Sequence, residues 1–549
     1  MQEASNEGPG AISRRGVIAV AGLAAGALTG AQAAAQAARP QPAPAGLGAS
    51  GDGQIFWEAQ TTSGKVLGID NAGIKEFKGV PYGAPTGGRN RFAPPKPPAP
   101  WSGVRETIGF GQISPQTVSD LRSEYAQMIM WDRHVGPGGM GEDCLNLNIW
   151  TPGIDKAARA VMVSFHGGGW ATGSGNGPMY DGANLARFGD VVVVTVNHRL
   201  AAFGYTHLAG HPGAPAALAD SGAVGVADMV ASLRWVRDNI ASFGGDPGRV
   251  MIFGQSGGGS KVSTLLATPS AKGLFHRAAI QSGSTIRQVT PDQAAKSTEL
   301  LLAALGRGAK VGDLLTAPWT RLLQAQTDAM AKGANFAPVV GGATLPHHPF
   351  DPGAPAESAS VPVIISTTLE DAALRLTNFD LDEAGLREVI ARLKPDQAEL
   401  VTRLYLDANL EKTPYLVQAQ ALTDATGRRN AILQGERRAA LGGAPTWMYI
   451  WAWATPAFDG KFGAVHGHDV DASFHIVRSP IAGAGTSGGH LMADRLASAW
   501  VAFAKTGDPN NPAIPHWPAY EPGARATMIF DTRTRVENDP RRAFRELWA

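Results

Sequence analysis

"IFGQSGGGS", residues 252–260, decides how this chain is read. A serine stands between glycines directly after an apolar run. The pattern Gly-x-Ser-x-Gly occurs at residues 254–258 and again in "GTSGG", residues 485–489. Only context separates the two matches. "RVMIF" (249–253) before Ser256 reads as a strand, and "GGGSKVSTLLA" (257–267) after it reads as a helix that stops before Pro269. A strand, a sharp turn and a helix set a serine up as an exposed nucleophile, and glycines let the strained turn pack closely. "SPIAGAG" precedes Ser487 and has no strand character. Ser487 therefore reads as loop.

Working outward, short β-rich runs alternate with longer helical patterns, as in a mostly parallel sheet flanked by helices. "AVMVSF" (160–165) ends at "HGGGW", and "VPVIIS" (361–366) ends at "TTLED". "VVVVTV" (191–196) has the unbroken apolar character of a strand buried on both faces. "WMYIWAW" (447–453) precedes "GAVHGHD". Val230, Leu233, Trp235, Val236 and Ile240 form a helical stripe in "DMVASLRWVRDNIASFGG". The stretches around 290–335 and 375–440 read as helical insertions over one face of the sheet. Such insertions are expected to shape the entrance to a site at the carboxyl edge.

A serine hydroxyl needs a base within hydrogen-bond reach, and the base needs an orienting acid. Both are available after Ser256, each beyond an apolar strand. "HGGGW" supplies glycine N–H groups able to approach a developing oxyanion.

With these features in hand, the chain resembles the type-B carboxylesterases, the cholinesterase-like branch of the α/β-hydrolases. "FGGDPGRVMIFGQSGGG" (243–259) resembles that family's active-serine signature, and "EDCLNLNIWTP" (142–152) its second signature. "NHRLAAFGY", "FAPVVGGATLP", "AAIQSGS" and "AWVAFAKTGDPNNP" follow in the family's order, from about residue 52 to the end. The resemblance implies an α/β-hydrolase fold with Ser256 as nucleophile and His466 as general base. It implies Gly168, Gly169 and Gly257 as oxyanion donors and Ser282 as a hydroxyl beside the triad. The acid position falls on Asp371, where the family usually has glutamate; Glu370 is the alternative if the turn is shifted by one. The implied reaction is ester hydrolysis through an acyl-enzyme, without cofactor or metal, on a small-molecule ester.

Three departures carry expectations. Gln255 stands where the family usually has glutamate, which weakens attraction for a cationic substrate and predicts little preference for choline-type esters. Ser114 stands where the disulfide partner of Cys144 is usual, so that loop is unclipped and expected to be more mobile. Gly341 stands where an aspartate is common.

Composition limits the alternatives. The 549 residues, 44% hydrophobic and 17% charged, suit a large folded core. A net charge of +1 gives no reason to expect a nucleic-acid partner. Arg14 and Arg15 precede a Gly/Ala/Val stretch and Ala-x-Ala sites near Ala33 and Ala37, as in a twin-arginine export signal over residues 1–37. Residues 38–51 read as a linker and 52–549 as one hydrolase domain. No other stretch is expected to span a bilayer. The single Cys144 excludes an internal disulfide, and export of an already folded chain reconciles this with a periplasmic or extracellular destination. The sequence carries no signal of oligomeric state.

His466, His468, Asp469 and His475 cluster in "HGHDVDASFH", but no second ligand cluster accompanies them, so a metal is not expected. Glu142 and Asp143 read as structural, with an arginine such as Arg199 as ion-pair partner. The tryptophans at 447, 451 and 453 read as packing, and Trp170 as either packing or pocket lining. Two rival functions remain: a triad-less adhesion module, disfavoured because every triad position is filled, and hydrolysis of an amide or lactone, which a triad does not distinguish from an ester.

Overall fold

The computed structural model describes residues 53–117, 123–130, 135 and 138–549. The export-signal and linker expectations fall outside these residues.

Among the described residues, thirteen strands form one sheet. They are β1 (Phe56–Thr61), β2 (Gly64–Asn71), β3 (Ile74–Pro81), β4 (Val104–Glu106), β5 (Asn146–Thr151), β6 (Arg159–Phe165), β7 (Val192–Val196), β8 (Gly245–Gln255), β9 (Arg277–Gln281), β10 (Val363–Thr368), β11 (Thr446–Trp451), β12 (Ala526–Phe530) and β13 (Arg535–Asn538). Their order is β1-β2-β3-β5-β7-β6-β8-β9-β10-β11-β12-β13, with β4 paired to β2. From β7 to β12 every neighbouring pair is parallel. The flanking pairs β1-β2, β2-β3, β3-β5, β5-β7 and β12-β13 are antiparallel. This is the mostly parallel sheet expected from the alternating pattern, in the α/β-hydrolase arrangement that the resemblance implies.

The central parallel strands are mostly apolar because both faces are covered. Val161, Val163, Val192, Val194, Val250 and Ile252 enter the core on one face. Met162, Val193, Met251 and Phe253, their alternates, enter the core on the other. The predicted helical stripe belongs to the helix Val224–Asn239, which buries Val230, Leu233, Trp235 and Val236. By length and composition the run Ala216–Phe243 would suffice to cross a bilayer, contrary to the expectation that no such stretch exists; 67% of its apolar window is buried within the fold. The stretch 290–335 forms Pro291–Leu305, Val311–Thr316 and Trp319–Ala331.

Chain direction creates the site. After β6 the chain crosses to β7 on one side, then to β8 on the other, so strand order reverses between β6 and β8. A crevice opens at the carboxyl ends of strands at such a switch point. The loops after β6, β8, β9 and β10 carry Gly168, Ser256, Ser282 and Asp371 to that edge.

Two ion pairs correct the expectation for Arg199. Its guanidinium holds Asp228 at 2.6 Å, both fully buried, while Glu142 is gripped by Arg91 at 2.6 Å. Arg91 also donates to the carbonyls of Leu314 and Ala317, tying the second signature to the first helical insertion. Cys144 is free and buried, and burial pushes its thiol up to about 12, which leaves it inert. Ser114 accepts a hydrogen bond from Leu200 N instead of forming a disulfide. Residues 118–122, 131–134, 136 and 137 of the loop between Ser114 and Cys144 lie outside the described residues. Near Gly341, Asp220 provides a carboxylate from another segment, accepting from Thr344 N at 2.9 Å.

Candidate active site

Ser256 sits between β8 and the helix Gly257–Leu266 with φ +59° and ψ −124°. This is strained for a residue with a Cβ, and the strain lifts the side chain out of the sheet edge. Surrounding contacts impose it. Ser256 N donates to Gln281 O at 2.8 Å, and Ser260 N to Ser256 O at 3.0 Å. A Cβ on Gly258 would lie 2.1 Å from Phe165 O, and one on Gly254 would lie 2.6 Å from the same atom. The glycines on both sides of the serine are therefore required by backbone packing.

His466 reaches the same edge from the loop after β11. Its Nδ1 lies 2.8 Å from Asp371 Oδ1. Asp371 also accepts from Thr368 Oγ1 at 2.8 Å. Burial alone would push the Asp371 carboxyl up; the His466 imidazole and the hydroxyls of Thr368 and Ser282 outweigh it and hold the group below its usual range. Ser282 is thus beside the acid, although its hydroxyl completes no full hydrogen-bond geometry. Ser256 and His466 line one cavity without a formed hydrogen bond between them, a contact that commonly tightens only with substrate present.

Glu370 takes a different part. It is fully buried, with Oε1 2.7 Å from Lys412 Nζ and from Gln420 Nε2. Its Oε2 accepts from Ala464 N at 2.8 Å, and its own N donates to Ala464 O. A parallel bridge joins Glu370 to Val465. The alternative acid is therefore a brace beneath the histidine loop, and Asp371 is the carboxylate at the imidazole.

Gly168 and Gly169 have φ +85° and +63°. A Cβ on Gly257 would lie 2.3 Å from Gly169 N, so the two glycine segments touch. None of the N–H groups of Gly168, Gly169 and Gly257 is committed to a backbone carbonyl among the turn and loop hydrogen bonds of the described residues. Gly167 N, in contrast, donates to Tyr180 OH at 2.8 Å. The free donors are the ones an oxyanion would need.

The cavity, about 290 Å³, is lined by Tyr125, Ile129, Met179, Tyr180, Gln255 and Leu374 around Ser256 and His466. Its lining comes from residues 123–129 and the turn Pro178–Tyr180 rather than from the helices of 291–331, which departs from the expected role of that insertion. Tyr125 escaped the sequence reading; its hydroxyl donates to His466 O at 3.0 Å. A tyrosine in the short helix Glu124–Met128 carries no local signal for such a role. Trp170 is not among the lining residues and packs edge-on against Tyr205 at 5.3 Å. Trp447 and Trp451 are buried packing residues, as expected.

The remaining histidines point elsewhere. His468 is buried and stacked on Trp453, and burial pushes its imidazole down to about 3. His475 pairs with Asp494 at 2.8 Å. Asp469 lies behind the triad, accepting from Tyr449 OH at 2.7 Å, and burial raises its carboxyl. Among the described residues no group of three such side chains is placed to hold a metal ion.

A strained serine on a strand-to-helix turn, a histidine–aspartate pair and free glycine donors define the site of a serine hydrolase on an α/β-hydrolase fold. The chain belongs to the carboxylesterase family, whose profile matches residues 57–548. It is 35% identical over 499 residues to the para-nitrobenzyl esterase of Bacillus subtilis (strain 168), covering 87% of this chain and 96% of that protein. It is 32% identical to the phenmedipham hydrolase of Pseudarthrobacter oxydans, covering 88% and 96%. A Geobacillus stearothermophilus carboxylesterase of known structure superposes with a TM-score of 0.76 at 34% identity, covering 90% of this chain and all of that one. The protein hydrolyses carboxylic esters.

Proposed function

We propose that Ser256, His466 and Asp371 perform this hydrolysis and that the preferred esters are neutral. The observation that carries the assignment is the 2.8 Å His466–Asp371 contact beside a serine held at positive φ. Ser256 Oγ attacks the ester carbonyl while His466 Nε2 takes its proton. Asp371 keeps the proton on Nδ1 and stabilises the imidazolium. Gly168, Gly169 and Gly257 N–H groups receive the oxyanion. The intermediate collapses, the C–O bond breaks, and His466 protonates the departing alcohol. Water then adds to the acyl-enzyme with His466 again as base, and the acid leaves.

Neutral substrates are supported by the lining. Apart from His466, the cavity walls are apolar side chains, tyrosines, Ser123 and the amide of Gln255, with no carboxylate among the described lining residues. A choline ester should therefore show about the same kcat/KM as its neutral isostere, and a tenfold or greater preference for the cation would refute this. The defining experiment is p-nitrophenyl butyrate hydrolysis by the wild type and Ser256→Ala; retained turnover in the variant would overturn the triad assignment.

The Arg14–Arg15 motif supports export to the periplasm or beyond as a second proposal. Substituting both arginines by lysine should retain esterase activity in the cytoplasm; unchanged secretion would refute this route.

A further inference from the structure

Lys261 is a fully buried lysine that the triad chemistry does not use. It lies on the nucleophile helix one turn past Gly257, hence on the same side. Its ammonium donates to His166 O at 2.7 Å and to Gly169 O at 3.0 Å. These carbonyls bracket the segment that carries the Gly168 and Gly169 donors. Thr172 Oγ1 donates to Gly168 O, and Tyr180 OH holds Gly167 N. The Trp170 ring centre lies 5.6 Å from Nζ. No carboxylate forms an ion pair with Lys261 among the described residues, and burial pushes its amine down to about 7. Its charge is felt by the buried His198 imidazole, which is lowered first by burial and then by Lys261.

An unpaired buried ammonium is unfavourable for folding, and an apolar side chain of the same length would avoid that penalty. Two carbonyl contacts at the ends of a three-glycine loop give a reason for its presence. Glycines are flexible, and an oxyanion hole stabilises a transition state only if its donors are already in place. We propose that Lys261 is a positioning residue that fixes the oxyanion loop to the nucleophile helix by clamping the carbonyls of His166 and Gly169. This rests on the assignment of Gly168, Gly169 and Gly257 as oxyanion donors.

The test uses the full chain with Lys261→Met and Lys261→Gln, and Ser256→Ala as control. Turnover of p-nitrophenyl butyrate is measured together with binding of an aryl trifluoromethyl ketone, whose hemiketal with serine mimics the tetrahedral intermediate. In Lys261→Met, kcat should fall about 10- to 100-fold while KM stays within about threefold, and ketone affinity should fall in proportion to kcat. Lys261→Gln retains an N–H donor and should recover part of the loss. Unchanged kcat and ketone affinity in Lys261→Met would overturn the proposal, as would a raised KM with kcat preserved. If neither neutral variant folds, Lys261 fastens the fold rather than the loop, and the proposal also fails. Turnover surviving in Ser256→Ala would instead condemn the site assignment itself.

Discussion

The chain spells Gly-x-Ser-x-Gly twice, and the two copies have opposite structures. Ser256 ends a buried parallel strand and is held at φ +59°. Ser487 is the first residue of the helix Ser487–Thr506, capped by Thr486, whose side chain accepts from Gly489 N. Around Ser256 the flanking glycines are pressed against the backbone of Phe165. Gly485, with φ +86°, has open space where a Cβ would go. The pattern therefore means a nucleophile only where a strand delivers it to a sheet edge and neighbouring backbone forces the turn. In the second copy the same residues make an ordinary helix start.

Substitution of the two serines separates the copies most sharply. Ser256→Ala should reduce kcat by about 10⁴-fold or more, while Ser487→Ala should stay within about twofold; comparable losses would erase the distinction. The two acids next to each other give the second contrast. Asp371→Asn should lower kcat by about 10³- to 10⁴-fold with little change in melting temperature, because the imidazole loses its orienting acceptor. Glu370→Gln should do the reverse, destabilising by about 2 kcal/mol through the brace to Lys412 and Ala464, with kcat down less than about tenfold. Denaturant unfolding alongside kinetics reads both.

A third contrast uses the glycines. Gly258→Ala places a Cβ 2.1 Å from Phe165 O and should cost ~3 kcal/mol or more, with loss of activity. Gly485→Ala meets only the positive-φ penalty, about 1 kcal/mol, with activity retained. The smallest effect concerns Asp471, whose carboxylate accepts from Ser479 at the start of the segment holding the second copy. Burial raises its carboxyl from 3.8 to about 7. A raised acid binds a proton in the folded state that the unfolded chain has released. Its contribution is therefore favourable at low pH and is lost as pH rises from about 4 to about 7. Asp471→Asn should flatten that decline in melting temperature; an unchanged pH profile would refute it.

Local signals made much of this legible. The central runs of β6, β7 and β8 are mostly valine, methionine, isoleucine and phenylalanine because both faces are covered, so they stand out in any window of sequence. The elbow is local too, since strand, glycines and helix are contiguous. Other features were hidden because they depend on distant segments. Arg199 meets Asp228 and Glu142 meets Arg91 through the fold, not through spacing. Tyr125 reaches His466 across 341 residues of chain. Lys261 left a faint signal, a lysine in an otherwise small and apolar helix one turn after the nucleophile, which only its carbonyl partners explain.

By itself, then, the sequence indicated the central parallel strands and the strand-turn-helix around Ser256, because hydrophobic periodicity and backbone restriction act over a few residues, while the acid and base positions came from the family resemblance. The resemblance favoured Asp371 over Glu370, and the tertiary structure shows why Asp371 faces the imidazole. A one-residue step after β10 turns one carboxylate toward His466 and the other toward Ala464 and Lys412. That orientation is set by the bridge between Glu370 and Val465, formed only when two distant loops meet at the carboxyl edge of the sheet.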